Sequence, residues 1–270
     1  MPHKQTDMNP LSRRIFLKQT GSLAALSMTG LSQPLMSFSP SRSPIRIVRV
    51  NSDFEREPMV KPWGFKGGML TEIWQSIARI ESDKGLHAVG LGTQSVLWCD
   101  SDVFAEHTES GGNALMYAMT EHALQLMKDI PFTDPIALLD DLLEPVLEYG
   151  RKITGHANLR KTFALTALVP VDNAAWLLYA KEHNIRSFDE LLPAAYRPGL
   201  SFHNEKVAAL PALGYGISME EIRKLADDGF FLMKIKIGAP GDQKEMLRKD
   251  IEFMTAIHQT IGHYETPHTA

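Results

Sequence analysis

Phe230-Phe231-Leu232-Met233-Lys234-Ile235-Lys236-Ile237-Gly238 reads as an apolar strand that carries two lysines. Side chains alternate along a strand, so Lys234 and Lys236 share one face with Leu232, while Met233, Ile235 and Ile237 share the other. Burying an ammonium group is costly unless something pairs with it or uses its proton. Two readings of these residues stand. In one, the strand is amphipathic and the lysine face is wet. In the other, the strand belongs to a parallel sheet, whose faces are both normally covered. Desolvation and mutual repulsion then lower the pKa of each lysine. A lysine tuned downward is a competent general base.

The flanking sequence favours a parallel arrangement. Val207-Ala208-Ala209-Leu210 is a short apolar run that reads as a strand, and Gly214 and Gly216 mark a loop. Ser218-Met219-Glu220-Glu221 has the form of a capping box and opens a helix to Asp228, which Gly229 ends. The lysine strand follows. After the loop Ala239-Pro240-Gly241-Asp242, a last helix is expected from about Gln243 to Thr260. Strand, helix, strand, helix with short connections is a βα repeat, and if its parallel sheet closes into a TIM-type (β/α) barrel, residues 193–270 are the start of one, about two βα units. Ile235 and Ile237 then pack on the outer helices and the lysines point inward.

Residues 45–192 have a different rhythm. Ile45 to Val50 alternates apolar and charged residues and predicts a strand. A loop with Pro58, Pro62, Gly64, Gly67 and Gly68 follows, then a strand from Leu70 to Ile80. Asp83-Lys84-Gly85 is a turn signal before a third strand through Leu86 to Leu91, completing an antiparallel meander. Helical spacing takes over from Gly112 to Lys128. Asp134-Pro135 supplies an acidic N-cap and a first-turn proline for the next helix. A third helix is expected over Thr162 to Lys181, with Pro170 as its start or a kink. A three-stranded sheet followed by helices is an α+β unit.

The 270 residues are 44% hydrophobic and 22% charged, with net charge −4 and no long basic block, so nothing points to nucleic acid. Cys99 is the sole cysteine, which excludes an intrachain disulfide and reads as a small buried residue. Ser12-Arg13-Arg14-Ile15-Phe16-Leu17-Lys18 precedes a weakly apolar stretch, Gly21 to Met36, without an acidic residue. That is the order of a twin-arginine export signal, too short and too rich in Ser, Thr and Gly to span a membrane. Residues 1–44 are assigned to this signal and its spacer, and the expected location is the periplasm. An A-x-A cleavage site is missing, with Gly30-x-Ser32 and Ser37-x-Ser39 as weak substitutes.

Lys-x-Lys on the second strand of a barrel, behind an α+β unit, resembles the mandelate racemase and muconate-lactonizing branch of the enolase superfamily. Three further segments carry the resemblance. Glu81-Ser82-Asp83-Lys84-Gly85-Leu86-His87-Ala88-Val89-Gly90 is similar to that family's hairpin between the second and third strands of its capping domain. Val171-Asp172-Asn173-Ala174-Ala175-Trp176, with Lys181 further on, is similar to the last capping-domain helix. Phe188-Asp189-Glu190-Leu191-Leu192-Pro193 is similar to the segment that enters the barrel. Gly90-Leu91-Gly92 departs from the family, where relatives often carry a Gly-Trp-Gly-Glu-like sequence.

The resemblance implies abstraction of the proton α to a carboxylate, with Mg²⁺ stabilising the enediolate as it forms. By position Lys236 resembles the base, and Lys234 would hold the substrate carboxylate and lower its neighbour's pKa. In Trp63-Gly64-Phe65-Lys66-Gly67-Gly68, the loop that the family's capping domain extends over the site, Phe65 and Lys66 are candidate substrate contacts. An ordinary flexible loop is the other reading. The family's metal is held by carboxylates on the third to fifth barrel strands. No recognisable set of these precedes Ala270, and a complete barrel needs ~200 residues or more. His258, His263, Glu265 and His268 do not share a helical face, and Pro267 breaks any helix there. The expectation is therefore an incomplete barrel, no metal ligands and little or no activity of the chain alone. The expected partners are a small carboxylate substrate and the twin-arginine machinery, with self-association left open. Two rivals remain: a non-catalytic exported binding or assembly protein that keeps the capping fold, and a Schiff-base enzyme using Lys234 or Lys236.

Overall fold

Three strands form an antiparallel sheet in the order β1-β2-β3: β1 (Ile47–Phe65), β2 (Gly68–Ser82) and β3 (His87–Gln94). The structure is a computed structural model and describes residues 43–200 and 202–262. The twin-arginine reading of residues 1–44 falls, up to residue 42, outside the described residues, as do His263, Glu265 and His268. The turn after β2 forms as its sequence predicts: the Ser82 N–H donates to the Leu86 carbonyl at 2.8 Å, and Gly85 takes φ 80°. In β3 every second residue is buried, so Ala88, Gly90, Gly92 and Gln94 face the core.

The stretch expected to be a loop after Val50 is instead strand. β1 continues to Phe65 and pairs with β2 as far as Phe65 opposite Gly68. Prolines are tolerated because β1 is an edge strand, where a missing N–H breaks no obligatory ladder bond. Pro58 pairs with Glu72 and Trp63 with Leu70, so residues 59–62 bulge outward. Lys66 and Gly67 close the hairpin with φ 49° and 78°, both in the left-handed region that a tight type I′ turn demands.

Helices cover the inner face of the sheet. They are α1 (Val96–Cys99), α2 (Ser101–Met127), α3 (Pro135–Thr154) and α4 (Lys161–Glu182). The apolar spacing located only the second part of α2. Its first part begins at Asp100, whose carboxylate accepts from the Asp102 and Val103 N–H groups. At Thr108 the backbone leaves helical geometry (φ 63°, ψ 172°) and the Thr108 hydroxyl then accepts from the Gly111 N–H at 3.3 Å. Asp134 caps α3 as expected, accepting from the Ile136 N–H at 2.9 Å.

α4 runs unbroken through Pro170. Gly90 and Gly92 explain how closely it lies on β3. A Cβ at Gly90 would overlap the Pro170 carbonyl oxygen and the Ala174 backbone, and one at Gly92 would sit 2.6 Å from the Pro170 ring. Side chains in the recognised helix segment add ties, Asn173 Nδ2 to the Leu91 carbonyl at 2.8 Å and Lys181 Nζ to the His87 carbonyl at 2.7 Å. By length and composition alone α4 could cross a membrane. Here it is a core helix: Phe163, Ala164, Ala167, Leu168 and Leu178 are fully buried among Ile80, Met116, Met119, Leu138 and Leu147.

Two short helices, α5 (Phe188–Leu191) and α6 (Arg197–Leu200), lead to a second, smaller assembly. It comprises β4 (Ala212–Leu213), α7 (Met219–Asp227), β5 (Lys234–Ile235) and α8 (Gln243–Ile261). β4 and β5 are parallel, with Ala212 opposite Lys234 and Leu213 opposite Ile235. The expected order of strand, helix, strand, helix is therefore present, while among the described residues no barrel closes. The Ser218 capping box forms in full: its hydroxyl accepts from the Glu221 N–H, and the Glu221 carboxylate accepts from the Ser218 N–H.

Two strand readings need correction. Val207 to Leu210 is irregular and exposed, and the ladder begins only beyond Pro211, whose carbonyl accepts from the Lys234 N–H at 2.9 Å. The lysine strand is likewise short, because β4 and β5 each have one neighbour in the sheet. Ile235 packs on the cluster of Leu213, Ile222 and Ile257 as expected, but Ile237 is 56% exposed and Phe231 61%.

Candidate functional site

The hairpin tip of β1 and β2 reaches the end of β5. The Gly67 N–H donates to the Gly238 carbonyl at 3.1 Å. Gly238 has φ 102°, and a Cβ there would lie 2.7 Å from the Lys66 nitrogen, so only glycine fits this junction. From the other side Asp250 of α8 accepts from the Gly238 and Ala239 N–H groups, each at 3.1 Å, and from the Tyr215 hydroxyl. Burial acts to raise the Asp250 carboxyl, but the bonds from Tyr215, Ala239 and Gly238 hold it below its ordinary value. Burial and then the Asp250 charge push the Tyr215 phenol up. The end of β5 is thus pinned on both sides.

This places all four sequence-predicted residues together. Lys236 Nζ lies 4.3 Å from the centre of the Trp98 ring and 5.6 Å from that of Phe65. Those two rings meet edge to face at 5.8 Å. Phe65 is itself buried against Leu70 and Leu97, so it presents a ring to Lys236 from a fixed position. Lys66 donates through Nζ to the Trp98 carbonyl. Lys236 is half-buried and Lys234 exposed, so each reading of the strand holds for one lysine. Burial depresses the Lys236 ammonium first, and the charges of Lys234 and Lys66 lower it further. The aromatic faces act in the opposite sense by favouring the cation.

Trp98 escaped the sequence reading. It stands in Ser95-Val96-Leu97-Trp98-Cys99, which carries no motif, and its proximity to Lys236 depends on α1 meeting the hairpin. Its 46% exposure in a mostly buried segment marks it only once the structure is known. Cys99 behaves as expected: it is buried, its thiol donates to the Thr166 hydroxyl at 3.0 Å, and burial pushes its pKa up.

A separate groove is lined by Lys61, Trp63, Tyr215, Gly216 and Glu221. Lys61 Nζ pairs with the Glu221 carboxylate at 3.0 Å. Glu221 is held down to about 2, first by the Ser218 N–H and then by Lys61 and the Ser218 hydroxyl.

The fit to Mg²⁺ is poor. Such an ion takes oxygen ligands, several of them carboxylates or waters. Among the described residues no carboxylate trio gathers beside Lys236, and Asp250 is committed to Tyr215 and two backbone N–H groups. The residues present form a cationic, aromatic corner suited to holding an anion, with the Lys236 ammonium below its ordinary value through burial and then the charges of Lys234 and Lys66.

No family model and no curated protein matches the sequence. Solved structures do. The dipeptide epimerase from Enterococcus faecalis V583, complexed with Mg and L-Leu-L-Tyr, is 18% identical with a TM-score of 0.48, over 82% of this chain and 51% of that one. L-talarate/galactarate dehydratase from Salmonella typhimurium LT2 is 19% identical with a TM-score of 0.48, over 88% and 54%. A mandelate racemase/muconate lactonizing enzyme-like protein from Rubrobacter xylanophilus is 16% identical with a TM-score of 0.47, over 81% and 50%. The description of the Rubrobacter protein names the mandelate racemase and muconate-lactonizing branch that the sequence resembles. The chain spans about half the length of each, and no residue role is taken from them.

Proposed function

We propose that this chain carries the proton-abstracting half of an enolase-superfamily site for a small carboxylate substrate, of the racemase, epimerase, dehydratase or cycloisomerase type. The observation that carries the reading is the convergence of Lys236, Lys234 and Lys66 with Trp98 and Phe65 at the end of β5. In this reading the exposed Lys234 engages the substrate carboxylate. Lys236, half-buried and depressed, is the base that takes the α proton. Lys66 adds positive charge from the hairpin tip, and the Phe65 and Trp98 rings exclude water from one side of Lys236. In the family the metal supplies charge stabilisation for the enediolate. The described residues do not assemble ligands for it, so the proposal extends to little or no turnover by the 270-residue chain on its own.

Labelling with an amine-directed reagent across a pH series tests the base. Lys236 should react at lower pH than the exposed lysines, and Lys234→Ala should move its titration upward, because a repelling charge is gone. A Lys236 that labels like Lys244 refutes the assignment. Lactate, as a probe carboxylate, should change Trp98 fluorescence in the parent and not in Lys234→Ala. Mg²⁺-dependent exchange of its α proton in D₂O by the pure chain would overturn the proposed inactivity. Carboxylate binding that is indifferent to Lys236→Ala would favour the non-catalytic rival.

We also propose, from the sequence, export by the twin-arginine route to the periplasm. Replacing Arg13 and Arg14 by lysine should hold the protein in the cytoplasmic fraction of a twin-arginine-competent host, and unchanged fractionation would exclude that route.

A further inference from the structure

We infer that Glu106, His107 and His156 form a binding site for a divalent transition-metal ion, Zn²⁺ above others, that clips α2 to the end of α3. Each of the three side chains offers one ligand atom, and these atoms lie within 4.8 Å of one another. Two imidazoles with one carboxylate suit zinc and its neighbours rather than Mg²⁺, which prefers oxygen alone. The site is separate from the lysine corner and does not rest on the function proposed above.

Two details point to a cation rather than an ordinary ion pair. His156 Nε2 and a Glu106 carboxylate oxygen stand 3.1 Å apart. Yet this nitrogen is shielded from solvent and makes no hydrogen bond. Ligand atoms on a tetrahedral ion with bonds of ~2.0–2.2 Å are about 3.3–3.6 Å apart, so this pair needs to open by only a few tenths of an ångström to admit one. The second detail concerns His107, whose Nε2 lies 2.9 Å from the Thr154 carbonyl oxygen. A carbonyl can only accept, so Nε2 carries the proton and the lone pair is on Nδ1. Metal-bound histidines commonly donate their other N–H in this way, which fixes the tautomer.

The backbone supports the same reading. Thr154 ends α3, and Gly155, at φ 74°, carries the chain directly to His156. A helix C-terminus exposes carbonyls and the negative end of the dipole, which favours a cation nearby. On the other side α2 breaks at Thr108, immediately after His107. Its φ 63° and ψ 172° fall in a region that glycine alone adopts readily. Three protein ligands leave a fourth corner for water, so the ion would be held with one open position.

The test uses the untagged full chain with Co²⁺ and Zn²⁺ salts. Co²⁺ should bind one per chain with visible d–d absorption that Zn²⁺ displaces, and Zn²⁺ should raise the unfolding midpoint. Glu106→Gln alters an exposed side chain, so the fold should persist while affinity falls by at least ~10-fold. His156→Ala should abolish the cobalt spectrum, and His122→Ala, at a histidine stacked on Tyr149, should leave it intact. The inference fails if neither ion binds, or if binding survives both Glu106→Gln and His156→Ala, which would leave Glu106 and His156 a simple ion pair.

Discussion

The sheet with α2, α3 and α4 and the assembly from β4 to α8 are built to different depths. In the first, a continuous core runs from Ile45 to Tyr179, with Phe163, Met116, Leu138 and Leu147 fully enclosed. In the second, Leu213, Ile222 and Ile257 are the buried centre, and Leu247, Ile251, Phe231 and Ile237 are exposed. A large core stabilises its secondary structure by apolar burial. A small one depends more on caps and directed hydrogen bonds, and here these are the Ser218 box and the Asp250 junction. The lysine corner lies on the seam between the two, so its geometry inherits the strength of the weaker partner.

The contrast can be broken most forcefully from the larger core. Phe163→Ala removes a fully buried ring and should lower unfolding free energy by ~3–5 kcal/mol in denaturant titration. A loss below about 1 kcal/mol would mean that the core is not the stabilising centre. A smaller effect is expected at the junction. Asp250→Ala leaves the Gly238 and Ala239 N–H groups without their acceptor. It should cost ~1–3 kcal/mol, read as faster amide exchange in β5 and α8 with the sheet amides unchanged. Uniform acceleration everywhere would show that the two regions unfold as one.

Acid should act on the same junction. The Asp250 carboxyl is depressed in the folded chain, so its contribution is present above the unfolded value of ~3.9 and is lost as pH falls through the folded value. Exchange protection at Gly238 and Ala239 should fade in that acid range. Protection that persists there would remove Asp250 from the account. The smallest effect belongs to the cap. Ser218→Ala should destabilise α7 by ~1 kcal/mol, visible in exchange from Ile222 to Ala226 and absent from α4.

Local chemistry made much of this legible. Asp134-Pro135 and Ser218 through Glu221 announce their helices because the capping groups lie within a few residues of the N–H groups they satisfy. Asp83-Lys84-Gly85 announces its turn because Gly85 supplies the positive φ. The long hairpin departs from the sequence expectation because prolines signal a loop wherever the strand's place in the sheet is unknown. Only pairing with Gly68 to Glu72 shows that Pro58 and Pro62 stand on an edge and at a bulge. The run Val207 to Leu210 misled for the converse reason: apolar character predicts burial, but a strand needs a neighbour to pair with.

By itself the sequence determined the two rhythms of the chain, the capped starts of α3 and α7, the parallel strand–helix repeat and the unusual placement of Lys234 and Lys236. These follow from period, capping and turn chemistry, all of which act over a few residues. Tertiary structure alone decided that Lys236 sits against Trp98, that Lys234 faces water, and that Gly238 accepts the hairpin tip. It also decided that Glu106 and His107 meet His156. Each of these depends on segments far apart in the chain approaching within a few ångströms. No local pattern encodes that distance, because it is set by how the whole core packs.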